Sequence, residues 1–201
     1  MVDERNPWRR LSSRPIYENP WIKVREDQVI RPDGNPGIYG VVELQTWAIG
    51  VVALADNGDT FLVGQYRYTL DLYSWEIPEG GGAKDDTPLA AAQRELREEA
   101  GITAARWTYL GEVHLSNSVT DEAGCVFLAE DLTYGAAEPD GTEELALRRL
   151  PLAEAVQMAL TGEISDALAV VGLLRADGYL RSGRTWTPLE RSFPGLGRRP
   201  T

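Results

Sequence analysis

Residues 80–102, GGGAKDDTPLAAAQRELREEAGI, constrain the fold more than any other stretch, because a glycine-rich turn leads at a short distance into a helix whose two ends are both marked. Leu89, Ala92, Leu96 and Ala100 recur at steps of three and four, the spacing of a single helical face. Thr87 suits the amino cap, Pro88 the first helical position, and Gly101 the left-handed conformation that closes a helix. Glu95, Glu98 and Glu99 are three and four residues apart, and the reading points all three away from the apolar stripe as one carboxylate cluster. Like charges at that spacing cost an isolated helix a few tenths of a kcal/mol per close pair. A divalent cation reverses the sign, since a hard ion such as Mg²⁺ takes carboxylate oxygens and leaves positions open for phosphate. On these residues alone, a solvated acidic face with Arg94 and Glu98 as an i,i+4 pair is an equal account.

β-like runs surround this helix. Residues 21–29 and 38–44 flank the turn-rich 32–37 segment and predict an amino-terminal hairpin. Residues 47–54 and 60–68 bracket Asn57-Gly58, the strongest short hairpin signal, and predict a second. Shorter strands are expected at 107–113, 124–129 and 145–150, and helices at 151–160 and from about 166 to 175. From residue 181 onward Arg, Pro, Gly and Ser alternate without period, which reads as a loose tail. The organisation expected is a 1–45 hairpin segment, a main domain over 46–180 and a tail over 181–201.

The chain's 201 residues suffice for one substantial core. A formal charge of −11 opposes nonspecific adhesion to nucleic acid or to anionic lipid, so a phosphate-bearing substrate needs cations or local arginines. With one cysteine, Cys125, there is no internal disulfide, and with one histidine, His114, a Cys/His zinc site is excluded, leaving oxygen ligands for a metal. No apolar run approaches a membrane span and the amino terminus lacks a signal-like core, so a cytoplasmic protein is expected, with no membrane and no nucleic-acid partner.

Gly80, Arg94, Glu95, Leu96, Glu98, Glu99, Gly101 and Ile102 stand at the spacing of a diphosphate-cleaving signature, and here the sequence resembles the Nudix hydrolase family. Asp86 is the one departure, a carboxylate one methylene shorter than the family's usual Glu. The resemblance implies an α/β fold, a Nudix-type α/β/α sandwich with a mixed sheet, carrying the small N-terminal β-hairpin subdomain. It also implies hydrolysis of a nucleoside diphosphate compound assisted by Mg²⁺ or Mn²⁺. Glu95, Glu98 and Glu99 would be metal ligands, joined by the backbone carbonyl of Glu79, while Glu95, Glu99 and Arg94 serve catalysis, Arg94 as a brace for the carboxylates.

Gln65-Tyr66-Arg67-Tyr68 followed by Trp75-Glu76-Ile77-Pro78-Glu79 is similar to the ADP-ribose pyrophosphatase and nucleoside diphosphate sugar branch. In that branch an Arg at the place of Arg67 lies near the diphosphate, where a planar guanidinium binds oxygens in pairs. Glu76 either contacts substrate or pairs with a basic neighbour. Glu143, with Glu144 beside it, occupies the place of a loop acid that acts as general base. Glu122 is the candidate within the polar 116–122 run, which departs from the glycine-rich loop of ADP-ribose enzymes, and Trp47 is the candidate for adenine stacking. The implied reaction converts ADP-ribose to AMP and ribose 5-phosphate. Alternatives are another substrate, such as GDP-mannose, FAD or a dinucleoside polyphosphate, or a nucleotide-sugar sensor that does not cleave. A homodimer built through the amino-terminal hairpin is the expected assembly.

Overall fold

The structure, a computed structural model, describes residues 5–138 and 144–185. It divides into two units, Met1–Thr46 with Ser116–Glu122, and Trp47–Leu115 with Ala123–Thr201.

The first unit is a three-stranded antiparallel sheet, β1 (Arg9–Glu18), β2 (Ile22–Ile30) and β3 (Pro36–Leu44), in that order. The expected hairpin is β2–β3, turned by Gly34 at φ 84° with its N–H on the Arg31 carbonyl at 2.9 Å. Sequence reasoning missed β1. Its run RRLSSRPIYE lacks apolar alternation because every residue is exposed, and its register against β2 shifts at Leu11 and again at Ile16, just after Pro15, a residue tolerated on an edge strand. The 116–122 segment joins this sheet: Tyr39 Oη donates to the Ser118 carbonyl at 2.8 Å, and the Leu44 N–H to Asp121 Oδ1 at 2.8 Å.

The second unit holds two sheets and three helices. One sheet runs β7 (Glu79–Ala83), β4 (Thr46–Ala53), β9 (Ala123–Tyr134), β8 (Ile102–His114), with β4 and β9 parallel and β8 and β9 antiparallel. The other runs β10 (Ala146–Pro151), β5 (Asp59–Arg67), β6 (Leu72–Glu76), antiparallel throughout. The second hairpin expectation needs correction. Its turn does close, with the Gly58 N–H on the Ala55 carbonyl at 2.9 Å and a Leu54–Thr60 bridge, but the arms then part into different sheets. Asn57-Gly58 sets the local turn and not the pairing beyond it, which goes to β9 for β4 and to β6 and β10 for β5.

Alternation along β4 and β9 builds the layers. Val52, Val126 and Leu128 face one apolar cluster with α2 (Leu152–Thr161) and α3 (Ala167–Arg181); Ile49, Val51, Cys125 and Phe127 face another with α1 (Pro88–Ala100). The result is the expected α/β/α sandwich with a mixed sheet. Each fully buried Leu or Ile in these clusters contributes about 1.5–3 kcal/mol. Glycines set the closeness of the α3 layer: a Cβ on Gly50 or Gly172 would come within 2.8 and 2.9 Å of Ile77 Cδ1. The helix α3 continues six residues past the end expected near 175. Among the described residues, no helix is long and apolar enough to cross a membrane.

Candidate active site

The α1 helix is capped as the sequence implies. Thr87 Oγ1 accepts the Ala90 N–H at 3.2 Å, Pro88 opens the first turn, and Gly101 at φ 65° returns its N–H to the Arg97 carbonyl at 3.0 Å. The three glutamates, however, do not all point away from the apolar stripe. Glu95 and Glu99 are buried, 7% and 4% exposed, on the side that carries Ala91, Ala92 and Leu96, and only Glu98 is half-exposed. Room for Glu95 comes from β7. A Cβ on Gly80 would lie 2.3 Å from the Glu95 carboxyl carbon, so glycine at this position is what admits the carboxylate.

Specific donors hold the three acids. Arg94 Nη2 lies 2.8 Å from Glu95 Oε1 and donates to the Gly81 carbonyl at 2.8 Å, while Nη1 donates to Glu98 Oε2 at 3.0 Å. The Glu79 N–H donates to Glu99 Oε2 at 2.9 Å. Burial alone would lower the Arg94 pKa, but Glu95 and Glu98 beside it keep the guanidinium above its ordinary value and firmly charged.

A second group lies at β5, β6 and the start of β7. Arg67 Nε donates to both oxygens of Glu76 at 2.8 and 3.1 Å, its Nη2 reaches Glu76 Oε2 as well, and Nη2 also reaches Glu79 Oε1 at 3.2 Å. Of the two readings of Glu76, pairing with a basic neighbour is the one observed, and its carboxylate is only 2% exposed. Glu79 Oε2 is buried without a hydrogen-bond partner. Burial first, then the nearby charges of Asp166 and Glu76, push the Glu79 carboxyl well above the usual carboxylate range against the pull of Arg67. Asp166 caps α3 by accepting the Ala169 N–H at 2.7 Å. Sequence reasoning placed Asp166 at the head of a helix and gave it no part in the site. Nothing in local spacing could have done so, because the packing of α3 onto the sheet brings it there.

The other candidates are dispersed. Trp47 is 9% exposed in the α1 cluster, with Lys84 Nζ 4.8 Å from its ring centroid, so the open face a base platform offers is not presented. Glu122 belongs to the first unit, where its N–H donates to Thr120 Oγ1 at 3.3 Å. Glu143 lies outside the described residues, and its neighbour Glu144 is exposed. Asp86 is exposed and accepts the Thr87 N–H at 2.7 Å, which ties it to the entry of α1. Cys125 is buried, with its thiol pushed up to about 12 by burial and by Glu112, and His114 sits on the exposed end of β8; neither joins the acids.

The donor set fits a hard divalent cation. Glu76, Glu79 and Asp166 bring one carboxylate oxygen each to within 4.8 Å of the others beside Arg67, and on α1 Glu95 and Glu98 lie against Arg94, with Arg97 3.5 Å from Glu98. Buried carboxylates in excess of their cationic partners are expensive without further positive charge, and oxygen donors of this kind suit Mg²⁺-like ions.

A model of the NUDIX domain matches residues 44–170, and one described as the nucleoside diphosphate sugar hydrolase N-terminal domain matches residues 8–42. The chain is 35% identical over 186 residues to an ADP-ribose pyrophosphatase of Mycobacterium tuberculosis, covering 91% of this chain and 89% of that one. It is 30% identical over 159 residues to an ADP-ribose pyrophosphatase of Bacillus subtilis, covering 78% and 85%. A solved structure described as an ADP compounds hydrolase superposes with a TM-score of 0.80 at 21% identity, covering 90% of this chain and 98% of the other, which bears on the fold.

Proposed function

Because this chain belongs to the Nudix family, whose hydrolases use divalent metals, we propose that it is a diphosphatase cleaving nucleoside diphosphate sugars, foremost ADP-ribose to AMP and ribose 5-phosphate. The observation that carries this reading is the set of α1 acids held in place, Glu95 and Glu98 by Arg94 and Glu99 by the Glu79 N–H, with Gly80 leaving room for Glu95. The two ADP-ribose pyrophosphatase relatives and the amino-terminal domain match support the substrate class.

In this reading Glu95, Glu98 and Glu99, with the Glu79 carbonyl, hold Mg²⁺ or Mn²⁺. Such an ion supplies charge neutralisation for the diphosphate and acidity for water near neutral pH. Arg94 keeps Glu95 and Glu98 in register. Arg67, charged and about a third exposed, offers the donors that its contacts with Glu76 and Glu79 leave over to a phosphate oxygen, and Glu76 fixes the plane of that guanidinium. Glu143 accepts the proton of the attacking water, and Glu122 is the residue of the 116–122 run assigned to substrate contact. Trp47 serves as a wall of the core and would meet adenine only with Lys84 displaced.

A homodimer is part of the reading. It is supported by the exposed Trp8, Leu11, Ile16, Tyr17, Trp21 and Ile38 of the first unit, apolar surface that association would bury. The partners are thus a small nucleotide substrate and a second copy, without nucleic acid, in the cytoplasm; the formal charge of −11 supports the exclusion of nucleic acid.

The test is a substrate panel with Mg²⁺ or Mn²⁺, comparing ADP-ribose, GDP-mannose, ADP-glucose and FAD by release of nucleoside monophosphate. ADP-ribose is expected to give the highest kcat/KM. Absence of metal-dependent turnover on every diphosphate would instead favour a sensor that binds without cleaving.

A further inference from the structure

Glu76, Glu79 and Asp166 each bring one carboxylate oxygen to within 4.8 Å of the others. Glu76 and Glu79 stand three residues apart, at the end of β6 and the start of β7, while Asp166 is the amino cap of α3, so chain proximity accounts for the first two and the docking of α3 brings the third. Part of each carboxyl is already committed elsewhere. Arg67 Nε chelates Glu76 at 2.8 and 3.1 Å, Arg67 Nη2 takes Glu79 Oε1 at 3.2 Å, and Asp166 Oδ1 accepts the Ala169 N–H at 2.7 Å. Glu79 Oε2 is what those partners leave over. It is buried, and among the buried side-chain nitrogen and oxygen atoms of the described residues only Asp27 Oδ1 shares its lack of a hydrogen-bond partner.

A buried carboxylate oxygen without a donor, beside two further carboxyls, calls for positive charge rather than for another acceptor. Arg67 supplies one charge against three acids, and its Nε and Nη2 are engaged by Glu76 and by the other oxygen of Glu79. A hard divalent ion meets the requirement, because it takes several carboxylate oxygens at once and completes its shell with water. We propose that Glu76, Glu79 and Asp166 form a second divalent-cation subsite, distinct from the α1 glutamates, that ties the head of α3 to the segment preceding the glycine turn. The proposal rests on the reading of the chain as a metal-dependent diphosphatase and extends it to residues outside the helix. Its ligand is Mg²⁺ or Mn²⁺, and it adds positive charge at the Arg67 end of the site, where a substrate with two phosphates presents more charge than one guanidinium offsets.

Mn²⁺ binding to the full chain without substrate, followed by the electron paramagnetic resonance of the free ion, tests this directly. Asp166→Asn keeps an oxygen for the α3 cap while removing the charge, and Glu79→Gln keeps the backbone carbonyl. Circular dichroism is expected to be unchanged in both. Each variant is expected to bind one ion fewer than the unaltered chain. Equal stoichiometry in all three proteins overturns the subsite and leaves a carboxyl pair sharing a proton. Loss of every ion in Asp166→Asn also overturns it, since Asp166 would then only support the α1 glutamates. Failure to hydrolyse any diphosphate, with the one-ion difference intact, contradicts the enzymatic reading and leaves the subsite standing.

Discussion

At Gly80 and Glu95, one missing Cβ decides whether a buried carboxylate can reach its place. The backbone at Gly80 and the Glu95 carboxyl are so close that a methyl group would overlap it at 2.3 Å. Gly80→Ala is therefore expected to lower kcat by at least about tenfold through displacement of Glu95, in line with the sensitivity of catalysis to small misplacements. The same change costs about 1–3 kcal/mol in stability, the usual range for overpacking. Steady-state kinetics beside a urea melt separates the two effects, and an unchanged kcat would show that Glu95 is free to move. At this scale the sequence was most legible where a residue's role is set by its neighbours along the chain: Thr87, Pro88, Gly101 and the Arg94–Glu98 pair are all where spacing puts them. It was least legible where the partner is distant. The pairing of Arg67 with Glu76 and the approach of Asp166 to Glu79 come from strand pairing and helix docking that no local pattern records.

Helices and strands show the same division. The capped α1 could be read to the residue, because cap chemistry is local. Strands misled in two ways: β1 has no buried face to impose alternation, and β4 and β5 share a tight turn while pairing with other partners. Just after α3, Arg184 donates to both oxygens of Glu130 on β9 at 2.7 and 2.6 Å, a pairing that the aperiodic sequence there does not signal. Those bonds hold the Glu130 carboxyl below its ordinary value despite burial, with Arg106 adding a smaller pull. A group with a lowered folded-state pKa contributes stability that is full above its unfolded value, about 4.3, and is lost as pH falls through the folded value. The stability advantage of the unaltered chain over Glu130→Gln, read from urea midpoints, is thus expected to be larger at pH 7 than at pH 3.5. A difference independent of pH would mean that the pair adds nothing specific to the ionised form.

For the molecule as a whole, the two units differ in how they spend apolar surface. The second buries two continuous clusters around one sheet. The first exposes Trp21 at 70% and Ile38 at 65%, and places Asp27 and Glu43 on Arg25 where a core would otherwise sit. A three-stranded sheet with so little apolar burial is marginal alone, which is the physical ground for expecting association. Light scattering is expected to give twice the 22.2 kDa chain mass at micromolar concentration, and Trp21→Asp combined with Ile38→Asp to shift it toward the monomer. A monomer in the unaltered chain would contradict the dimer. The sandwich and the diphosphate chemistry were legible because both hang on residues 80–102, whereas the assembly depends on surfaces that sequence pattern does not expose. The central claim, that the α1 glutamates sustain metal-dependent diphosphate hydrolysis, is tested most directly by kcat on ADP-ribose for Glu99→Gln at saturating Mg²⁺. A loss of at least about two orders of magnitude with an unchanged circular dichroism spectrum is predicted, and near-normal turnover in that variant would contradict the account.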